Sequence, residues 1–259
     1  MHLRNRLQQG ERVVGSWINT ASPITAELMA STGFDFLTVD VEHSAVDLVQ
    51  TQALFQAIRS GNSGCTPLVR LAGNTYADNK RYMDAGAGGV IAPFINTADQ
   101  ARELVRSVKY PPHGMRGVGF CRANGYGMRL QEAVETAHQE TLVCVQIEHV
   151  QAVENIDEIL AVAGVDAVMI GPYDLSASMG ITAQFDHPAM TKATDTVLRA
   201  CQAHGVAPGI HVVQPEPEEA VQRFRQGYRF LAYSLDITML MKCCLDGLAA
   251  IRRASAAPE

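Results

Sequence analysis

The chain has 259 residues, of which 47% are hydrophobic and 19% charged, the balance of a globular protein whose core needs no disulfide or structural metal. Its formal net charge is −6 and its Lys and Arg residues are scattered, which argues against a nucleic-acid partner and against an anionic membrane surface. No apolar run approaches the roughly 18 residues that a membrane span needs.

The cysteines and the first residues point to a reduced compartment. The six cysteines contain no CxxC pair, and several of them lie within apolar or small-residue segments. The opening stretch "MHLRNRLQQGERVVG" lacks the apolar core of a signal peptide. A cytoplasmic protein without disulfides is therefore expected.

Eight short apolar runs recur along the chain and predict buried strands. Each run is rich in Val, Ile, Leu or Phe and shows little strict alternation, as expected of strands that are covered on both faces. The predicted strands are residues 12–18, 34–41, 66–71, 89–94, 142–148, 167–172, 207–212 and 229–235.

Amphipathic segments with helical spacing lie between these runs, and many of them end at glycine. The predicted helices are residues 24–33, 47–62, 96–110, 152–164, 187–205 and 216–227. Strands that alternate with helices over about 250 residues predict a single (β/α)₈ TIM barrel domain over residues 1–259. A doubly wound open sheet is the alternative, but no GxGxxG turn follows a strand.

The last segment, residues 234–259, contains a helical section so apolar that it needs cover on more than one side. A partner subunit could supply that cover, so a homo-oligomer is expected.

Ionisable residues follow several of the predicted strands. Asp40, Glu42 and His43 come directly after the second strand, and Arg70 ends the third. Any one of these residues alone is more often a solvated loop residue or an ion-pair partner. Because active sites of such barrels lie at the C-terminal ends of the strands, we expect these side chains to meet at one rim.

The later strands add polar residues to the same rim. Glu148 ends the fifth strand, and Gln146, two residues earlier, points to the same side. Asp174 follows the sixth strand, and His211 lies at the end of the seventh. Buried carboxylates are costly unless they are paired or bind a metal, so their convergence indicates a cation and an anionic ligand.

Glu148 and Asp174 suit a hard divalent cation such as Mg²⁺ or Mn²⁺, whose octahedral shell would be completed by water and substrate oxygens. The turn at Gly171 and Pro172 opens a short helical pattern near Asp174, where free backbone N–H groups could bind a carboxylate. A metal beside such a turn reads as a site for a 2-oxo acid.

The chain resembles the HpcH/HpaI aldolase family of metal-dependent class II pyruvate aldolases, related to citrate lyase β. The resemblance spans nearly the whole chain and rests on motifs in the family's order: "VDVEHSAVDL", "PLVRL", "MDAGAGGVIAPFINTADQA", "YPPHGMRGVG" and "VQIEHVQAVENIDEILAVAGVDAVMIGPYDLSASMG". It implies a barrel whose last helix swaps between subunits, and a hexamer built as a trimer of dimers.

The resemblance also implies roles for individual residues. Glu148 and Asp174 would ligate Mg²⁺ or Mn²⁺, with Co²⁺ as a further candidate. His43 would act as acid and base, steered by Asp40 and by Asp84 of a neighbouring chain.

It implies further that Arg70 would hold the keto oxygen and stabilise an enolate. The amides near Gly171 to Asp174 would bind the pyruvyl carboxylate. The reaction would join pyruvate to an aldehyde or ketone, or cleave a 4-hydroxy-2-oxo acid, without a lysine Schiff base.

The match departs from the family at the pocket. Val41 replaces a glycine, Tyr173 replaces a small residue before the metal aspartate, and His211 replaces an aliphatic residue. The last strand reads "AYSLD" in place of a small-residue pattern. A phenol and an imidazole there would favour a polar or anionic second substrate.

Two alternatives stay open at this point. The first is a citrate synthase-like condensation of oxaloacetate with acetyl-CoA, as in some siderophore-pathway relatives, in which the co-substrate is a thioester in place of a polar carbonyl compound. The second is a non-catalytic barrel that binds a 2-oxo acid.

Overall fold

The computed structural model describes residues 1–256 and shows a closed barrel of eight parallel strands that pair in chain order. The strands are β1 (Val13–Ile18), β2 (Phe36–Asp40), β3 (Thr66–Arg70), β4 (Gly89–Ala92), β5 (Leu142–Ile147), β6 (Ala167–Ile170), β7 (Gly209–Val212) and β8 (Phe230–Leu235). Their bounds lie within two residues of the predicted ones. The predicted (β/α)₈ barrel is therefore confirmed; the last three residues of the predicted domain, 257–259, lie outside the described residues.

Helices surround the barrel. They are α1 (Leu3–Gln8), α2 (Pro23–Ser31), α3 (Leu48–Gly61), α4 (Tyr76–Asp84), α5 (Ala98–Val108), α6 (Leu130–Glu140), α7 (Val150–Glu154), α8 (Ile156–Leu160), α9 (Pro172–Ser178), α10 (Pro188–His204), α11 (Pro217–Gln226) and α12 (Asp236–Ala256). Within residues 1–256, no helix combines the length and the apolarity needed to cross a bilayer.

The interior of the barrel is filled by apolar side chains from the strands. Phe36 and Phe230 face each other there with ring centroids 4.6 Å apart. Gly15 on β1 is required by this packing, because a Cβ at that position would lie 2.4 Å from the Phe36 ring. At the N-terminal end of the barrel, Leu3 and Leu7 of α1 join the same buried cluster and close it.

Buried polar contacts also lie at this N-terminal end. The carboxylate of Asp166 accepts hydrogen bonds from Arg4 Nε (2.6 Å) and from the backbone N–H of Val143 (2.9 Å). Lys109 donates to the carbonyl of Thr141 (2.6 Å), and burial lowers the pKa of its ammonium group to about 8. These charged groups connect α1 to the loops at the N-terminal end of the barrel. This end is opposite to the C-terminal rim where the candidate site residues are expected.

The helix α12 leaves the barrel after its first turn. Asp236 at its start is buried and accepts hydrogen bonds from the backbone N–H groups of Asn19 and Thr20, both at 3.0 Å. Beyond Met239 nearly every described side chain of this helix is exposed, including the large apolar ones at Leu240, Met241, Leu245, Leu248 and Ile251. The apolar tail predicted from the sequence is thus a helix that the described part of this chain leaves largely uncovered.

Candidate active site

A cavity of about 420 Å³ opens at the C-terminal ends of the strands. Most of the side chains predicted for the site line it, and the two carboxylates of Glu42 and Glu148 adjoin it through contacts with lining residues. The predicted residues that line it are Asp40, His43, Arg70, Gln146, Gly171, Pro172, Tyr173, Asp174 and His211.

Asp40 and Arg70 form a buried two-pronged ion pair across adjacent strands. Arg70 Nε lies 2.9 Å from one carboxylate oxygen of Asp40 and Nη2 lies 2.5 Å from the other. The strands β2 and β3 pair these residues directly, so the sequence fixes the contact through strand register. Burial alone would raise the pKa of Asp40, but the hydrogen bonds and charge of Arg70 outweigh it and lower that pKa.

Asp40 also organises the turn that follows its strand. It accepts hydrogen bonds from the backbone N–H groups of Glu42 (3.0 Å) and His43 (3.2 Å) and from Asn19 Nδ2 (2.9 Å). Its carboxylate therefore contacts His43 at the main chain, while its side-chain partners are Arg70 and Asn19. The expectation that Asp40 steers the His43 imidazole is not matched by a ring contact in this chain.

Two further contacts fix the Arg70 guanidinium. Its Nη1 lies 3.3 Å from Glu42 Oε2, and its central carbon lies 4.2 Å from the centre of the Trp17 ring. Burial, together with the charges of Asp40 and Asp174, keeps the pKa of Glu42 above its ordinary value, although Arg70 opposes that shift. The guanidinium is thus held in one orientation at the floor of the pocket.

Glu148 lies just past β5 with only 1% of its surface exposed. Oε1 accepts a hydrogen bond from the backbone N–H of Phe94 (2.7 Å), and Oε2 accepts one from the Gln146 side chain. Burial, with smaller contributions from the nearby carboxylates of Glu42 and Asp174, raises the pKa of Glu148 to about 7. The structure thus collects three carboxylates in a small, poorly hydrated region.

The short helix α9 positions Asp174 in its first turn, after Gly171 and Pro172. Gly171 is needed because a Cβ there would come within 3.0 Å of Glu148 Oε2 and 3.1 Å of Gln146 Nε2. The chain after β6 is therefore pressed against the end of β5, which explains why Asp174 and Glu148 are close enough for their charges to interact.

The donor set fits a divalent cation. Among the described residues, neither Glu148 nor Asp174 forms an ion pair, and Gln146 Oε1 is buried without a hydrogen-bond partner. No three His, Cys, Asp or Glu side chains of this part of the chain form a complete ligand cluster. Two carboxylates with open positions for water or substrate oxygens are what Mg²⁺ or Mn²⁺ accepts.

His43 and Asp84 have separate surroundings in this chain. His43 stands at the mouth with its side chain 62% exposed, and the nearest carboxylate oxygen is Glu42 Oε2 at 3.8 Å. Asp84 ends α4 and pairs with Arg116 at 2.7 Å, away from the residues that line the cavity. Any role for Asp84 at a His43 must therefore involve another copy of the chain, as the resemblance implies.

Tyr173 and His211 lie at different depths. Tyr173 is 39% exposed near the mouth, where it packs edge-on against Phe185. His211 lies on the floor, stacked on the buried Trp17 with ring centroids 4.9 Å apart. Burial and the charge of Arg70 together lower the pKa of His211 to about 4, so this imidazole is neutral at pH 7.

Sequence reasoning missed several residues of the site. Trp17 and Asn19, at and just past the end of β1, line the cavity but belong to a run that reads as ordinary buried strand. Phe94 and Ser234 act through main-chain atoms and adopt positive φ values of 51° and 52°. The available signal was the position of Trp17, the only tryptophan, at the C-terminal end of a predicted strand.

The chain is similar in sequence to known proteins over nearly its whole length. The family model for HpcH/HpaI aldolase/citrate lyase matches residues 13–243. The chain is 38% identical over 241 residues to a hydroxypyruvate/pyruvate aldolase of Roseobacter denitrificans, covering 92% of each protein.

Two solved structures are similar over almost their whole length. One is an HpcH/HpaI aldolase/citrate lyase family protein from Burkholderia cenocepacia (TM-score 0.92, 34% identity, 96% of this chain and 98% of that one). The other is the citrate synthase SbnG (TM-score 0.88, 26% identity, 99% of both chains).

Proposed function

The chain belongs to the HpcH/HpaI aldolase/citrate lyase family, and we propose that it is a divalent-metal-dependent aldolase that forms and cleaves 4-hydroxy-2-oxo acids through a pyruvate enolate. One observation carries the proposal: the carboxylates of Glu148 and Asp174 lie close together without an ion-pair partner in the described chain, beside a fixed guanidinium. That arrangement suits a reaction in which negative charge develops on an oxygen atom.

Glu148 and Asp174 would hold the cation, with Mg²⁺ or Mn²⁺ preferred and Co²⁺ as a further candidate. When bound, it would act as a Lewis acid on the keto oxygen of the 2-oxo acid. The substrate carboxylate would accept hydrogen bonds from the N–H groups of Tyr173 and Asp174, which have no intrahelical acceptor because they lie in the first turn of α9.

Arg70 would donate hydrogen bonds to the same keto oxygen as the charge develops. Its bidentate contact with Asp40 holds the guanidinium in place before the substrate binds, so little reorganisation is needed during the reaction. We therefore propose that Asp40 acts as a positioning residue for Arg70.

His43 would remove the C3 proton of pyruvate and return a proton to the aldol oxygen. Its exposed position at the mouth lets it reach both the substrate and bulk solvent. Histidine suits this role because its unperturbed pKa lies near neutral pH.

A Schiff-base mechanism has no support in the pocket. None of the residues that line the cavity is a lysine, and Lys109, the buried lysine, lies at the opposite end of the barrel. We propose instead that the cation site and Arg70 together serve as the electron sink of the reaction.

A citrate synthase-like condensation of oxaloacetate with acetyl-CoA is the second candidate, and the likeness to SbnG over 99% of both chains favours it. It would use the same enolate chemistry. The aldolase has stronger support, because the relative at 38% identity carries that activity in its name. A non-catalytic oxo-acid-binding barrel has the least support, since the ionisable residues expected of the family are all present.

The assay that separates these functions follows C3 of pyruvate. The protein is incubated with pyruvate in D₂O with Mg²⁺ or Mn²⁺, and separately with oxaloacetate and acetyl-CoA. Metal-dependent deuteration without thiol release supports the aldolase, and thiol release with citrate supports the synthase. The absence of both reactions would leave the non-catalytic barrel.

We further propose a cytoplasmic homohexamer, a trimer of dimers, in which α12 packs on a neighbouring subunit. Support comes from the exposed apolar side chains of α12 and from Asp84, which lies outside the pocket of its own chain. The buried Cys65, Cys144 and Cys201 have no disulfide partner, which fits a reducing compartment.

A further inference from the structure

His211 and the carbonyl of Ser234 form a feature of the pocket floor to which the aldol reaction above gives no task. His211 lines the cavity from β7, and its ring lies nearly parallel to Trp17 with an interplanar angle of 14°. Its Nε2 lies 3.2 Å from the backbone oxygen of Ser234 on β8. The imidazole is thus held by a stack and by one hydrogen bond.

The backbone at Ser234 is unusual in a way that serves this contact. Ser234 is fully buried and has a φ of 52°, in the left-handed region that non-glycine residues seldom adopt. The pairing of β1 with β8 shifts here, so that β8 carries one residue more than β1 between consecutive pairs. Such a bulge turns the Ser234 carbonyl out of the ladder.

Other contacts hold this bulge in place. The hydroxyl of Ser234 donates to the carbonyl of Val213 (3.0 Å), and the hydroxyl of Ser16 donates to the carbonyl of Ser234 (3.2 Å). Strained backbone that its surroundings impose is concentrated at functional sites. The strained backbone places the Ser234 carbonyl within hydrogen-bond distance of both Ser16 and His211.

This carbonyl determines the tautomer of His211. A carbonyl oxygen can only accept, so Nε2 must carry the ring proton. The imidazole is neutral at pH 7 because burial and the charge of Arg70 lower its pKa to about 4. Nδ1 is therefore an unprotonated acceptor, and no described residue donates to it.

We propose that Nδ1 of His211 accepts a hydrogen bond from a hydroxyl group on C3 of the 2-oxo acid, which makes His211 the residue that selects 3-hydroxy-2-oxo acids over pyruvate. The inference rests on the proposed function. The C3 methyl group of pyruvate has no proton to donate, so it would leave Nδ1 unpaired. An ionised carboxylate at C3 can only accept, so its lone pairs would repel the lone pair of Nδ1. Among substrate groups of this size, a hydroxyl offers the missing proton.

The position of His211 assigns the hydroxyl to the 2-oxo acid and not to the aldehyde. Trp17 contacts both the His211 ring and the Arg70 guanidinium, and Arg70 is close enough for its charge to act on His211. His211 therefore lies in the part of the pocket that holds the group assigned to the keto oxygen. C3 is bonded to that keto carbon, whereas the aldehyde enters from the mouth near His43. The Trp17 indole N–H also lacks an acceptor in the described chain, and a hydroxyl oxygen can accept as well as donate.

The test compares hydroxypyruvate with pyruvate as the 2-oxo acid, with the same aldehyde and metal. The wild-type protein should have the higher kcat/KM with hydroxypyruvate. His211→Leu should reduce that preference by about tenfold or more, with the larger loss of kcat/KM on hydroxypyruvate, because one hydrogen bond to the hydroxyl is lost. His211→Gln keeps an amide donor for Ser234 and an amide acceptor, so it should recover part of the preference.

His204→Leu is the matched control, since His204 pairs with Asp157 on the protein surface and should leave the preference unchanged. An equal loss on both substrates, or an unchanged preference, in His211→Leu would overturn the proposal. Turnover of neither oxo acid by the wild type would instead overturn the proposed function.

A second measurement does not depend on turnover or on the folding of a variant. In ¹⁵N-histidine-labelled wild-type protein with Mg²⁺, hydroxypyruvate should shift the unprotonated Nδ1 resonance of His211, and pyruvate should not. A protonated Nδ1 in the free protein, or the same response to both ligands, would contradict the inference.

Discussion

Arg70 is a charged side chain of the pocket that is constrained on every side of its guanidinium. Asp40 grips it through two hydrogen bonds, Glu42 lies 3.3 Å from a third nitrogen, and Trp17 packs against its face. Because lysine has one charged atom and no planar fork, it could not make these contacts together. The residue type at this position therefore matters beyond its charge.

We expect Arg70→Lys to lower kcat of metal-dependent pyruvate turnover by roughly 10²–10³, the usual effect of removing one fixed oxyanion donor. Steady-state kinetics of the C3 exchange would measure it. Arg102→Lys, an exposed site paired with Asp99, is the matched control and should retain full activity. Wild-type turnover in Arg70→Lys would show that the guanidinium geometry is not needed.

Cys201 gives the stability of the fold a predictable dependence on pH. Burial raises the pKa of its thiol to about 12. In the unfolded chain a cysteine thiol ionises with a pKa of about 8.5. Below the unfolded pKa the two states bind the proton equally, and the free energy of unfolding then falls as the pH rises from about 9 towards 12. The expected loss from this thiol is about 1.4 kcal/mol per pH unit in that window.

Denaturant unfolding at several alkaline pH values would therefore show a shallower decline for Cys201→Ala than for the wild type. Val197→Ala, also buried on α10, should lower stability without changing the slope, because it removes no titrating group. Parallel pH profiles for the wild type and Cys201→Ala would refute the assignment.

The residues that the sequence located are those whose side chains follow strands. Parallel strands end at one rim, so Asp40, Arg70 and Glu148 could be brought together from strand positions alone. Phe94 and Ser234 could not be found this way, because they contribute an N–H group and a carbonyl that positive φ values turn towards the site. Side-chain identity carries no trace of such roles.

At the scale of the element, strands were easier to predict than helices. Every strand is covered on both faces and reads as an apolar run, whereas α6 buries none of its residues and so lacks a clear apolar stripe. The predicted helix over 152–164 is two short helices, α7 and α8, that meet at Asn155. The side chain of Asn155 donates to the carbonyl of Asn96 (2.9 Å), a tertiary contact that local spacing cannot reveal.

The helix α1 was also not predicted, since its six residues are too few for a periodic pattern. It nevertheless inserts Leu7, which is 1% exposed, into the cluster that fills the barrel. We expect Leu7→Ala to destabilise the fold by ~2–5 kcal/mol, the range for truncating a buried leucine.

Denaturant unfolding at a fixed protein concentration would test this expectation. Val221→Ala on α11, where the side chain is 47% exposed, should change stability by no more than about 0.5 kcal/mol. If Leu7→Ala lowered the free energy of unfolding by as little as Val221→Ala, α1 would not be needed to close the barrel core.

At the scale of the whole molecule, α12 is the element whose apolar side chains stay exposed in the described part of a single chain. Its apolar side chains extend over several turns without a covering surface in the described chain. We expect Leu245→Glu to lower the assembly mass measured by light scattering, because burial of the new charge in a subunit interface would be costly.

Ser255→Glu, in the last turn of the same helix, is the control for added charge and should keep the wild-type mass. A monomeric wild-type protein, or a Leu245→Glu variant of unchanged mass, would contradict packing of α12 between subunits.

The proposed reaction depends most on one divalent cation held between β5 and α9. Crystals grown with Mn²⁺ and pyruvate, with anomalous data collected near the manganese edge, test it most directly. We predict one strong anomalous peak at ~2.0–2.2 Å from carboxylate oxygens of both Glu148 and Asp174. A peak at other residues, or none while these two side chains turn apart, would contradict the central claim.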